Sequence, residues 1–116
     1  MEAFERELEV YVTDEGRPPF LDWRNALRDA RGRAAIRARL DRVRLGNFGD
    51  RAGLGDGVQE LRIDFGPGYR VYFGQASAKV VLLLCGGDKS TQERDISDAK
   101  SYWKDYKRRA SHRGTQ

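Results

Sequence analysis

The chain of 116 residues carries 22 Lys and Arg against 18 Asp and Glu, for a net charge of +4, a pI near 9.5 and a mean hydropathy of -0.76. That length suits one domain with a modest core, and a 39% hydrophobic content excludes wholesale disorder. A lone cysteine, Cys85, excludes an internal disulfide, and with a lone histidine, His112, it leaves no four-ligand zinc pattern, so no metal or cofactor is expected.

The first predicted element is a strand within ERELEVYVT, where Leu8, Val10 and Val12 alternate. Pro18 and Pro19 end it. Phe20, Trp23 and Leu27 then recur at helical spacing, and Ile36, Leu40 and Val43 form the stripe of a second helical stretch, with a break or kink placed at Gly32. From Trp23 to Leu45 there are eight arginines against two aspartates. Arg33, Arg37 and Arg44 flank one edge of the apolar stripe, and Arg31, Arg39 and Arg42 flank the other. Such a helix presents a solvated basic face or steers toward a polyanion such as RNA.

GNFGDRAGLGDG reads as a glycine-rich loop. ELRIDFGPGYRVYFG then reads as a hairpin. Three unpaired turn residues would set Phe65 opposite Tyr69, Asp64 opposite Arg70 and Arg62 opposite Tyr72. One face is then apolar, and the other gathers Arg62, Asp64, Arg70 and Tyr72. Guanidinium groups stay charged and bind phosphate bidentately, and a tyrosine can stack on a base, so this face is either an ion-pair ladder or an anion site. KVVLLLCG is apolar on both faces, as in a central strand, with Cys85 as a small buried hydrophobe.

GGDKST lacks the upstream glycine of a phosphate-binding P-loop, which excludes that reading. It still sets Lys89 beside a helix start. Ser90-Thr91-Gln92-Glu93 has the form of a capping box for a last helix, whose buried face is Ile96, Ala99, Trp103 and Tyr106. The expected fold is α+β, in the order β-α-α-β-β-β-α, with a mainly antiparallel twisted sheet and helices packed against it. Residues 1–109 form the domain, and 110–116 form a frayed basic tail. No signal peptide or bilayer-spanning run is read, so a cytosolic protein is expected.

Three segments, LDRVRLGNFGD, GDGVQELRIDFGPGYRVYF and LLLCGGDKSTQERDISDAKSYWKDY, resemble the HigB-like branch of the RelE/ParE toxins, the addiction-module killer proteins. The likeness runs from about Phe20 to Arg109. It implies the toxin of a type II toxin–antitoxin pair, with a RelE-like fold. It also implies metal-independent cleavage of mRNA on the ribosome, by attack of a ribose 2′-OH on the adjacent phosphate. By the same resemblance Arg62, Arg70 and Lys89 are the catalytic cations, with Arg51 at the position of a loop contact; the basic helix edge and the hairpin face described above make Arg33, Arg37, Arg44 and Tyr72 the other expected RNA contacts. The implied partners are mRNA, the ribosome and a helix-turn-helix antitoxin forming a hetero-oligomer with the toxin. RelE has lysines in the loop before the hairpin where this chain offers only Arg51, and a tyrosine after the last strand where this chain reads ERDIS. The proton-transfer group therefore stays open among Asp95, Tyr102 and His112. Two alternatives share the resemblance: a ParE-like gyrase poison that cuts no RNA, and an inactive relative that only binds antitoxin.

Overall fold

Side-chain alternation along the central strands divides one sheet into two faces that different helices cover. The computed structural model describes residues 4–114, with side chains through residue 111. In chain order the elements are β1 (Glu7–Val10), α1 (Pro19–Ala26), α2 (Ala30–Arg44), β2 (Arg51–Gly53), β3 (Val58–Ile63), β4 (Tyr69–Gln75), β5 (Val80–Gly87), a 3-10 turn (Lys89–Thr91) and α3 (Gln92–Gly114). The fold is α+β, with a mixed five-stranded sheet and three helices. Strand order is β1-β5-β4-β3-β2, with β1 parallel to β5 and every other pair antiparallel.

On one face Leu61, Ile63, Tyr69, Val71, Phe73, Val81 and Leu83 bury against Phe20 of α1 and Ile36, Leu40 and Val43 of α2. These residues recur at period two along the strands and at three-to-four spacing along the helices, as the sequence pattern requires. On the other face Val58, Tyr72, Leu82, Leu84 and Cys85 pack against Ala99 and Trp103 of α3. Ile96, Tyr102 and Tyr106 extend this contact. The sheet is thus the middle of three layers, and α3 covers only part of the face that carries Arg62 and Arg70.

Several boundaries differ from the sequence reading. The glycine-rich loop contains the short strand β2, which pairs Arg51 with Leu61, so the sheet has one strand more than expected. The break between the first two helices falls at residues 27–29, and Gly32 lies inside α2, where the Tyr69 ring occupies the space a β-carbon would need. Asp88, not Ser90, caps the segment after β5: its carboxylate accepts from the Ser90 amide at 2.8 Å, and the Thr91 hydroxyl accepts from the Asp88 amide at 3.3 Å. A 3-10 turn inserted before α3 moves the cap forward. Residues 110–114, read as part of a frayed tail, continue α3, while residues 115–116 and the His112 side chain lie outside the described set.

The hairpin register also differs. The pairs are Ile63↔Tyr69, Arg62↔Arg70, Leu61↔Val71 and Glu60↔Tyr72. Five residues, not three, leave the ladder, because Asp64 and Phe65 join the turn with Gly66 (φ 55) and Gly68 (φ 82) in left-handed backbone. The slip is two residues, so each side chain keeps its face but changes its partner.

Asp105 ties α3 to β1. The Tyr11 hydroxyl donates to it at 2.6 Å, and Arg108 and Arg109 donate at 2.6 and 3.0 Å. The Tyr11 bond, with help from the two arginines, holds the Asp105 carboxyl below its ordinary range, while burial and the same carboxylate push Tyr11 up to about 12. A depressed carboxyl stabilises the fold above its unfolded value, near pH 3.9, and loses that contribution as pH falls through its folded value. Asp105→Asn should therefore cost roughly 1 kcal/mol at pH 7, with solvent screening allowed for. The gap to wild type should close in acid below the carboxylate range. Urea denaturation at both pH values checks this, and a gap that persists in acid would point to lost packing instead of lost charge.

Candidate anion-binding site

The two-residue register slip sets Arg62 directly beside Arg70, on the face toward α3. A β-bulge between Tyr72 and Phe73 then sets Gly87 opposite Arg70, so Arg62, Arg70 and Gly87 form a row across three strands. Bulges re-aim side chains in this way. Without the offset, Leu84 and Cys85 would face opposite sides; both lie on the α3 side.

Beneath the arginines sits Glu60, whose side chain is 1% exposed. Its Oε2 accepts from Arg62 Nε at 3.1 Å, and its Oε1 lies 3.8 Å from Arg70 Nη1. Gln92, at the start of α3, donates from Nε2 to the same Oε1 at 2.8 Å. The Arg62 side chain remains 44% exposed and reaches Asp50 at 3.5 Å through Nη1. The Arg70 side chain is 14% exposed. Among the described residues, the buried Arg70 Nε and Tyr72 hydroxyl have no hydrogen-bond partner. One buried carboxylate thus meets two guanidinium groups, and Arg62 is shared between Glu60 and Asp50.

One more side chain, Asp95, reaches the row. A β-carbon at Gly87 would overlap the Asp95 carboxylate, so the glycine is what lets α3 bring Asp95 down onto the row. The Thr91 hydroxyl donates to Asp95 Oδ2 at 2.5 Å. Burial raises the Asp95 carboxyl above its ordinary value, against the Thr91 hydrogen bond, which lowers it. Lys89 is exposed just past β5, its β-carbon near Gly68 of the hairpin turn.

The other residues singled out in the sequence lie elsewhere. Tyr72 is fully buried under α3 and is not available to stack on a base, and burial raises its hydroxyl, with Glu60 and Asp95 adding to the effect. Arg51 pairs with Leu61, so it points to the α2 side, where its guanidinium lies 4.2 Å from the Phe48 ring centroid. Arg33 donates to the Leu27 carbonyl, Arg44 pairs with Asp41 at 2.7 Å, and Arg37 is exposed. These three, with Arg24, line a groove of about 860 Å³ on α1 and α2, across the sheet from Arg62. Tyr102 stacks on Tyr11, with ring centroids 5.0 Å apart. Among the described residues there is no cluster of three metal-binding side chains and no helix long and apolar enough to cross a membrane.

Glu60 and Gln92 were missed in the sequence. Glu60 precedes Arg62 by two and so shares its face, a signal that was present in ELR but credited to Asp64. Arg39 was read as a stripe-edge residue. It is buried, and donates to the carbonyls of Arg62 at 3.2 Å and Asp50 at 3.0 Å, bracing the strand that bears Arg62.

No family model matches the chain. Over 81 residues it is 52% identical to an uncharacterized protein of Haemophilus influenzae, a stretch that covers 70% of this chain and 82% of that one. The chain belongs to that protein's family. Identity at this level over most of both chains carries the same fold to the relative, and it leaves the activity to be argued from the site.

The raised Asp95 carboxyl has a measurable consequence. A group whose folded value lies above its unfolded value stabilises below the unfolded value and weighs against the fold once pH exceeds the folded one. Asp95→Asn keeps an acceptor for Thr91 and removes the buried charge. It should match wild type near pH 3 and melt higher at pH 7, the gap opening as pH rises from about 3.9. Thermal melts at the two pH values check the sign.

Proposed function

We propose that the protein is a HigB-like member of the RelE/ParE superfamily, with a RelE-like fold, and that it cleaves mRNA on the ribosome under the control of a cognate antitoxin. The sequence resemblance motivates this reading, and the cross-strand pair Arg62↔Arg70 on one face carries it. Two guanidinium groups at neighbouring positions match what in-line attack of a 2′-OH needs. Negative charge builds on the phosphorane-like transition state, and preorganised cationic donors stabilise it more than the ground state. Arg62 and Arg70 fill that role, and Lys89, just past β5, adds charge at the phosphate or leaving group.

The reaction also moves two protons, off the 2′-OH and onto the departing 5′ oxygen, leaving a cyclic phosphate and a 5′-OH. Of the candidate proton carriers, Asp95 sits beside the row, and its carboxyl is already shifted toward neutrality by burial. Tyr102 is engaged with Tyr11. We assign the first trial of proton transfer to Asp95.

The limited exposure of Arg70 favours a second reading, a relative that binds antitoxin and cuts nothing. A gyrase poison of the ParE kind is the third outcome of the same experiment. Induction of the protein followed by mapping of transcript 5′ ends and of DNA breaks separates all three. Cuts inside translated frames are expected, and they should drop by about 10²–10³-fold in a folded Arg62→Ala variant, the usual loss for one transition-state donor. Intact messages with broken DNA select the gyrase reading. Intact messages and intact DNA select the inactive one.

A further inference from the structure

We propose that Glu60 is the positioning residue of this site, its buried carboxylate holding the Arg62 and Arg70 guanidinium groups side by side so that both face one anion. The identity of that anion, a backbone phosphodiester of RNA, rests on the reading above.

Two arginines directly opposite on one sheet face repel each other. Each also has a long, flexible stem with which to move apart. Glu60 opposes both tendencies. One carboxylate oxygen takes Arg62 through Nε, and the other lies against Arg70 Nη1. The carboxylate is itself fixed, because Gln92 donates to it from α3 and its side chain is almost wholly buried. A carboxylate removed from water is stable only with such partners, so the three residues define one another's position. Among the described residues, neither arginine's Nη2 meets a protein acceptor. Those groups remain for a ligand. Glu60 is placed to orient, not to carry a proton: its oxygens are engaged by Arg62, Arg70 and Gln92.

Charge alone and positioning predict opposite results for Glu60→Gln. Removing a negative charge beside a bound phosphate should tighten binding and speed the reaction if the carboxylate merely dilutes the field. If it positions, kcat for message cleavage on programmed ribosomes should fall about 100-fold, as expected for a misplacement near 1 Å, with KM no higher than wild type. A circular-dichroism melt of the same variant shows that it is folded.

A second measurement does not depend on cleavage. In wild type, the Arg62 Nε–H resonance should be protected from exchange, and inorganic phosphate should shift the Arg62 and Arg70 Nε–H resonances together. In Glu60→Gln the protection should vanish and the two should respond independently. If wild type cuts no message, the nuclease reading fails while the resonances still decide the role of Glu60. Unchanged resonances in the variant, or a kcat equal to or above wild type, would overturn the positioning role.

Discussion

A carboxylate buried between two like charges is the constraint on which the site depends. Arg62 and Arg70 are placed by backbone pairing, not by mutual attraction, and left alone they would weaken the hairpin that carries them. Glu60 makes the pairing tolerable by lying beneath both, and Gln92 makes Glu60 tolerable by reaching it from α3. The chain of contacts therefore runs from sheet register through a buried acid to the docking of a helix. Nothing in it is a surface salt bridge of negligible worth, because Glu60 is out of water and has no alternative partner in solvent.

The same contacts explain why the two sheet faces are built differently. The face toward α1 and α2 is apolar from β3 to β5, with the buried Arg39 of α2 reaching the backbone of β3. The face toward α3 is apolar only where Ala99 and Trp103 cover it, and becomes charged toward the start of α3. The bulge in β5 marks the change: past it, Gly87 replaces a side chain, and the space admits Asp95. Two polar groups without partners among the described residues, Arg70 Nε and the Tyr72 hydroxyl, sit at this border. Buried orphan donors are uncommon in native folds.

How much of this was legible follows from periodicity. Alternation assigns a face to every residue of β3 and β4, and faces survive a slip of two, so Arg62 and Arg70 were found together correctly. Partners do not survive such a slip, which is why Asp64 stood where Glu60 belongs. The Gly-Pro-Gly turn set the expectation of three unpaired residues, and nothing local to the sequence reveals that Asp64 and Phe65 also leave the ladder. In VVLLLCGG both faces are apolar, so no alternation exists for the bulge to interrupt. Burial of Tyr72 depends on how far α3 reaches across the sheet, a tertiary fact. The apolar stripes of α2 and α3 were read as they stand: Ile36, Leu40 and Val43 are buried along α2, and on α3 Ala99 and Trp103 are buried with Ile96 and Tyr106 partly so. Arg39 escaped because an arginine at the edge of a stripe snorkels outward as readily as it turns in to brace a loop.

The position of the α2 arginines limits what the basic character of the chain can mean. Arg33, Arg37 and Arg44 lie beyond the sheet from Arg62, across a layer spacing of about 10 Å to which the helix itself adds more. At physiological ionic strength, charges separated by more than about 8 Å through solvent are largely screened. These arginines therefore add little to charge stabilisation at Arg62 and Arg70. If they act on RNA, they act on a different stretch of it, or on its rate of arrival at low salt. Of the eight arginines from Trp23 to Leu45 that dominate the sequence's charge, Arg39 braces the strand of the site through the Arg62 carbonyl, while Arg33, Arg37 and Arg44 stand apart from it. That site is built from two arginines and the acid the hairpin places between them.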